Sequence, residues 1–237
     1  MDYRGIENGK DCLTKNALQN ILIVEDQKLT CQGYELIVEQ AGLKGKIPPF
    51  KIQQAHSLKK AFEYLETEVI KFDMVFLDIC MKPFPDKNLF SGEDLGRLIV
   101  EQYPKTKILV MTSLTDKLRL EGILHTLKPH GFLIKCEVDE QHLVKAIQNI
   151  LMDQSYYSPS IEKILQDESN EDAFLDEEEK KFLYLLSKGV RNKEIRNYLP
   201  WSLSKVEKRK RVLHKKLGME KENTMALVNK AKELGII

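Results

Sequence analysis

Five short aliphatic runs, each ending on a polar residue and each followed by a longer stretch with helical apolar spacing, constrain this chain more than any other feature. They are "NILIVED", "PFKIQQAH", "FDMVFLD", "KILVMTS" and "GFLIK". The intervening segments, such as "LTCQGYELIVEQAG", "SLKKAFEYLETEVI" and "GEDLGRLIVEQY", repeat apolar residues every three or four positions. Strands alternating with helices require crossover connections, and these build a parallel sheet covered by helices on both faces. The near-continuous apolar character of the runs agrees, because central parallel strands are buried on both sides. The reading is a doubly wound α/β domain of five βα units over residues 18–153, preceded by an extension at 1–17.

The pattern then changes. Residues 154–174, "QSYYSPSIEKILQDESNEDAF", are polar and contain Ser-Pro, and they read as a connector. Residues 175–237 read as four helices: "DEEEKKFLYLLSKG", "NKEIRNYL" broken by Pro200, "SLSKVEKRKRVLHKKLG" and "ENTMALVNKAKELG". Acids in a first turn, Ser202 as an N-cap and Gly218 as a stop fit helix-end chemistry. Charge divides the same way. The last 63 residues carry 16 Lys+Arg against 9 Asp+Glu, whereas the whole chain has a net charge of only +1. An acidic front and a basic back imply different partners, with nucleic acid as the candidate for the basic part. No apolar run approaches the roughly 18 residues of a membrane span. The polar N-terminus does not resemble a signal peptide, and four cysteines without metal-ligand spacing suit a reducing, cytoplasmic setting.

In such a sheet, function gathers beyond the carboxyl ends of the strands. Glu25 and Asp26 close the first strand, Asp78 the third, Thr112 and Ser113 the fourth, and Lys135 the fifth. Three carboxylates brought together repel unless their pKa values rise or a cation sits among them. Mg²⁺ is the fitting cation: it is hard, octahedral and satisfied by carboxylates, waters and phosphate oxygens. Asp78 could then attack a phosphoryl group whose oxygens are covered by the cation, Lys135 and Thr112.

"ILIVEDQ", "VFLDICM" and "GFLIK" together resemble the receiver domain of bacterial two-component response regulators, which has a flavodoxin-like (βα)5 fold. The resemblance implies that a sensor histidine kinase phosphorylates Asp78. It further implies that Glu25, Asp26, Asp78 and the Cys80 backbone carbonyl hold Mg²⁺, and that Thr112, Lys135 and Phe132 respond to the phosphate. Two departures stand out. Cys136 follows Lys135 where the family has a cis proline, so a trans bond and a displaced fifth helix are expected. The loop after Asp78, with Lys82, Asp86 and Lys87, is longer than usual. An aspartyl-phosphate hydrolase would want an acid two residues after the nucleophile, where this chain has Cys80, so no enzyme is expected.

The segment "KGVRNKEIRNYLPWSLSKVEKRKRVLHKKLG" resembles the LuxR/FixJ-type helix-turn-helix, a small all-α output domain. Between Ser202 and Leu217 there are seven Lys and Arg against one acid, Glu207. Val206, Leu213 and Leu217 share one face. Lys205, Lys208 and Arg209 are expected near base edges or adjacent phosphates, with Lys193, Arg211, Lys215 and Lys216 on the same basic surface of double-stranded DNA. The final helix is a dimer contact in that family, which implies a homodimer in the active state. The whole then reads as a phosphorylation-controlled transcription regulator. The competing reading is a receiver that is never phosphorylated and serves only as an interaction module on a DNA-binding protein.

Overall fold

The computed structural model describes residues 19–67, 70–166, 175–219 and 223–237; the N-terminal extension and the acidic part of the connector lie outside them. The strands are β1 (Gln19–Val24), β2 (Phe50–Ala55), β3 (Met74–Asp78), β4 (Lys107–Thr112), β5 (Gly131–Ile134) and β6 (Tyr156–Tyr157). They form one parallel sheet in the order β2-β1-β3-β4-β5-β6. The helices of this unit are α1 (Lys28–Leu43), α2 (Leu58–Glu66), α3 (Gly92–Gln102), α4 (Lys117–Leu127), α5 (Glu140–Leu151) and α6 (Pro159–Gln166).

The two-residue period of a strand sends alternate side chains into two cores. Ile21, Ile23, Met74 and Phe76 pack beneath α1 and α5. Leu22, Val24, Val75 and Leu77 pack beneath α2, α3, α4 and α6. Both cores are apolar, and the central strand β3 is buried along its whole length. Burial on both faces at about 25 cal/mol per Å² makes register slips in β3 costly, and this pins Asp78 at the strand's carboxyl end.

The expected connector proves to be partly structural. Tyr156 and Tyr157 pair with Gly131 and Phe132, and α6 buries Ile161 and Ile164 against α4 and β5. Ser158 ties this sixth βα unit down by accepting a hydrogen bond from Ile134 N at 3.1 Å. A two-residue strand beside a Ser-Pro step carries too little periodicity to be read from sequence, whereas the open edge of β5 supplies a ready partner.

The basic part contains α7 (Glu177–Ser187), α8 (Leu203–Lys216) and α9 (Thr224–Glu233) around Phe182, Leu183, Ile195, Trp201, Val206, Leu213 and Leu227. The expected second helix, "NKEIRNYL", is only a 3-10 turn at Ile195–Asn197. Eight residues halted by Pro200 cannot offset helix nucleation, so local bonds such as Glu194 N to Arg191 O take over. Ser202 caps α8 by accepting from Lys205 N, as expected. The α7 helix and the chain end lie against α3 and α4. Lys180 of α7, 1% exposed, reaches Asp94 at 3.0 Å and Glu93 at 3.3 Å. Phe90 meets Tyr184 with ring centroids 5.4 Å apart. Among the described residues, no helix is long and apolar enough to cross a membrane.

Candidate functional site

The carboxyl edge of the sheet brings the predicted acids together. Carboxylate oxygens of Glu25, Asp26 and Asp78 lie within 4.8 Å of one another. Glu25 and Asp78 are buried and Asp26 is partly exposed, so the cluster has one side open to solvent. Lys135 bridges the two buried acids: its Nζ is 2.6 Å from Glu25 Oε2 and 2.9 Å from Asp78 Oδ2. Burial raises the Glu25 carboxyl above its ordinary range; the hydrogen bond from Lys135 opposes this and the charge of Asp78 adds to it. Burial alone would lower Lys135, but the charge and hydrogen bond of Asp78, with Glu25, outweigh it and raise the ammonium. Three carboxyl groups thus gather around a single ammonium.

Backbone donors hold the acids in place. Cys80 N donates to Asp78 Oδ1 at 3.1 Å and Gln27 N to Glu25 Oε1 at 3.2 Å. The ring Nδ1 of His56 lies 2.9 Å from Glu25 O, a contact that reading the strands one at a time did not suggest. Tyr34 stacks edge-on to Phe76, and burial pushes its hydroxyl up to about 12. The thiol of Cys31, buried near Glu25, is likewise pushed to about 12 and stays protonated. Gly92 opens α3 where only glycine fits: a Cβ there would sit 1.9 Å from the Asp78 carbonyl oxygen.

Thr112 is fully buried at the end of β4, and its Oγ1 accepts from Leu114 N at 3.2 Å. Phe132 is fully buried within the core on the α4 and α6 side. Among the described residues every peptide bond is trans, Lys135–Cys136 included. Lys135–Glu137 form a 3-10 turn, and α5 begins only at Glu140 behind the cap Asp139. The long loop after Asp78 is ordered by its own bonds: Phe84 and Leu89 exchange backbone hydrogen bonds at 2.7 and 3.2 Å. Phe84 packs on Phe62 of α2, and Lys87 lies over the same ring. Lys82 and Asp86 are exposed.

The predicted DNA-facing residues separate into two sets. Lys193, Lys208, Arg211 and Lys215 are exposed. Arg209 and Lys216 turn inward instead, both to the fully buried Glu179 of α7, each at 2.8 Å. Lys205 pairs with Glu178 at 3.6 Å and lies over the Trp201 ring. Charge counting along one helix could not show this, because the acids that claim these cations come from the first turn of another helix. The capping box at Asp176 and Glu179 was the available clue, since it anchors those acids beside α8.

The strand ends of a parallel sheet thus gather three acids, a lysine and a threonine at one edge. Residues 21–148 match the response regulator receiver domain family, and the chain belongs to that family. Similarity extends through the basic part. The oxygen regulatory protein NreC of Staphylococcus aureus is 27% identical over 214 residues, covering 84% of this chain and 91% of NreC. RcsB of Salmonella enterica serovar Typhimurium, solved on promoter rprA with the phosphomimetic BeF₃⁻, superposes with a TM-score of 0.62 at 22% identity. That match covers 90% of this chain and 98% of RcsB. A structure of two RcsB dimers on two parallel DNAs gives 0.54 at 20% identity, covering 92% and 99%. At these identities the structural likeness concerns the fold.

Proposed function

We propose that this response regulator accepts a phosphoryl group on Asp78 from a sensor histidine kinase and acts as a DNA-binding regulator of transcription. The observation that carries the reading is the Lys135 bridge across Glu25 and Asp78 beside Asp26. Three oxygen donors with one partly open side suit a hard divalent cation, and soft ligands are absent from the set. Glu25, Asp26, Asp78 and the Cys80 carbonyl would hold Mg²⁺, which when bound neutralises charge on the transferring phosphoryl group. Asp78 Oδ forms the new P–O bond as the P–N bond to the donor imidazole breaks. Lys135 then exchanges a carboxylate contact for a phosphoryl oxygen, and the Thr112 hydroxyl turns to another.

The basic surface supports the second half of the reading. Lys193, Lys208, Arg211 and Lys215 present exposed cations without buried partners among the described residues, as phosphate contacts require. The structure of two RcsB dimers on two parallel DNAs supports a homodimer as the DNA-bound form. The reading that the receiver is never phosphorylated would leave a complete acid, lysine and threonine constellation without use. The test is labelling with acetyl phosphate and Mg²⁺. Wild-type protein is expected to incorporate phosphate and Asp78→Asn to incorporate none; full labelling of the variant would overturn the assignment.

A further inference from the structure

The chain end sits on the phosphoacceptor site. Arg119 Nε of α4 donates to Leu234 O at 3.1 Å. At Gly235, which has φ +60°, an added Cβ would lie 2.9 Å from Cys80 Sγ and 3.6 Å from both methyls of Leu114. Leu234 and Ile236, on either side of it, are both buried. Leu114 donates its N–H to Thr112 Oγ1, and Cys80 donates its N–H to Asp78 Oδ1. A Thr112 hydroxyl that turns toward a phosphoryl group on Asp78 must release Leu114 N. The platform under Gly235 therefore depends on the same hydroxyl that reads the phosphate.

What this docking leaves open matters as much. With the helical unit seated on the receiver, Ser204, Glu207, Lys208, Arg211 and Lys215 of α8 all remain exposed. These positions follow helical spacing along one face. The receiver instead engages α7 through Lys180 and Tyr184, and the chain end. Contact with the receiver and access of the α8 face to a duplex use different sides of the domain.

We propose that Leu234–Ile236 sense the state of Asp78 by docking on Leu114, Cys80 and Arg119, and that this docking restrains the position of the output domain without covering its DNA-facing surface. The inference rests on the phosphoacceptor reading above and adds where the signal crosses and what it changes. Phosphorylation then frees the domain to move, while its affinity for a single stretch of duplex stays nearly constant.

The test uses the full chain carrying Gly235→Cys, with Cys12→Ser and Cys136→Ser to remove competing thiols. The 2.9 Å approach puts residue 235 within disulfide reach of Cys80. Oxidised glutathione accepts the two electrons and both thiol protons as its own S–S bond breaks, and leaves as two molecules of reduced glutathione. Crosslinking is followed by mass spectrometry with and without beryllofluoride and Mg²⁺, while ¹⁹F resonances report occupancy of the site. The expected result is rapid crosslinking of the free protein and at least a tenfold slower reaction with beryllofluoride bound. Lys180→Met, which loosens docking without touching either thiol, is expected to slow it similarly. The crosslinked protein is expected to bind a mixed-sequence 30-base-pair duplex within about twofold of its reduced form. A bound ¹⁹F signal with unchanged crosslinking, or a tenfold loss of duplex affinity on locking, overturns this inference alone. Absence of any bound signal overturns the phosphoacceptor reading along with it.

Discussion

Lys180 offers a quantitative handle on the contact between the two parts of the chain. The residue is 1% exposed, its ammonium lies 3.0 Å from Asp94 Oδ1 and 3.3 Å from Glu93 Oε1, and both acids are nearly as buried. At an effective dielectric of about 20, each contact is worth about 5 kcal/mol before desolvation. Removing one partner of a buried pair costs about 3–5 kcal/mol, since a charge is left without compensation. Here two other cations remain: Arg97 pairs with Asp94, and Arg119 with Glu93 at 2.6 Å. The expected loss for Lys180→Ala therefore falls at about 2–4 kcal/mol. The assay is urea unfolding followed by the fluorescence of Trp201, which is buried in the basic domain and reports its stability in the docked state. A double-mutant cycle with Glu93→Gln isolates the contact between the two parts from any loss internal to α7. A coupling of at least about 1 kcal/mol is expected. A loss below about 0.5 kcal/mol, or additive single effects within about 0.3 kcal/mol, would refute the idea that this cation staples the domains.

Three further outcomes follow from the geometry. Gly92→Ala places a methyl against the Asp78 carbonyl, and backbone cannot yield as a side chain does. A stability loss of at least about 1–3 kcal/mol is expected, with slowed labelling by acetyl phosphate; an unchanged melting temperature would contradict it. Replacing Lys208, Arg211 and Lys215 by Ala should weaken duplex binding and reduce the slope of log K against log salt by about 0.9 for each phosphate no longer neutralised, whereas Arg209→Ala should act mainly on stability; titration at three salt concentrations separates the two. Glu93 is buried, which raises its pKa, but the charges of Arg119 and Lys180 outweigh this and hold it at about 2, below the ordinary 4.5. Its stabilisation is thus fully present above pH 4.5 and lost as pH falls through about 2. The stability difference between wild type and Glu93→Gln, measured by Trp201 fluorescence, should be flat above about pH 5 and shrink below it; a difference independent of pH would count against the assignment.

Much of the site was legible because its logic is local. An apolar run that must be buried and then ends on Asp78 tells where the strand leaves the sheet, and the same holds for Glu25, Thr112 and Lys135. A parallel sheet brings those ends to one edge without further information. The trans bond at Lys135–Cys136 was equally readable, since the amide before a residue other than proline strongly disfavours cis. Legibility failed where a residue's partner lies far along the chain. Arg209 and Lys216 were counted with the DNA-facing cations, yet each is held by Glu179, 30 and 37 residues earlier. The β6 strand failed for a related reason: two tyrosines are no strand until the edge of β5 offers its hydrogen bonds.

The amino-acid sequence by itself determined the alternation of strands and helices, the acid cluster, and the division into an acidic receiver and a basic helical part. Those properties depend on period, burial and charge over a few residues, and the chain carries them wherever it goes. Tertiary structure alone decided which cations face solvent, how the long loop folds onto α2, and that Phe90, Glu93 and Asp94 receive α7. It alone seated Gly235 on Cys80 and Leu114. Such contacts join residues far apart along the chain, and their energy depends on distance and dielectric in three dimensions, which no spacing in the sequence encodes.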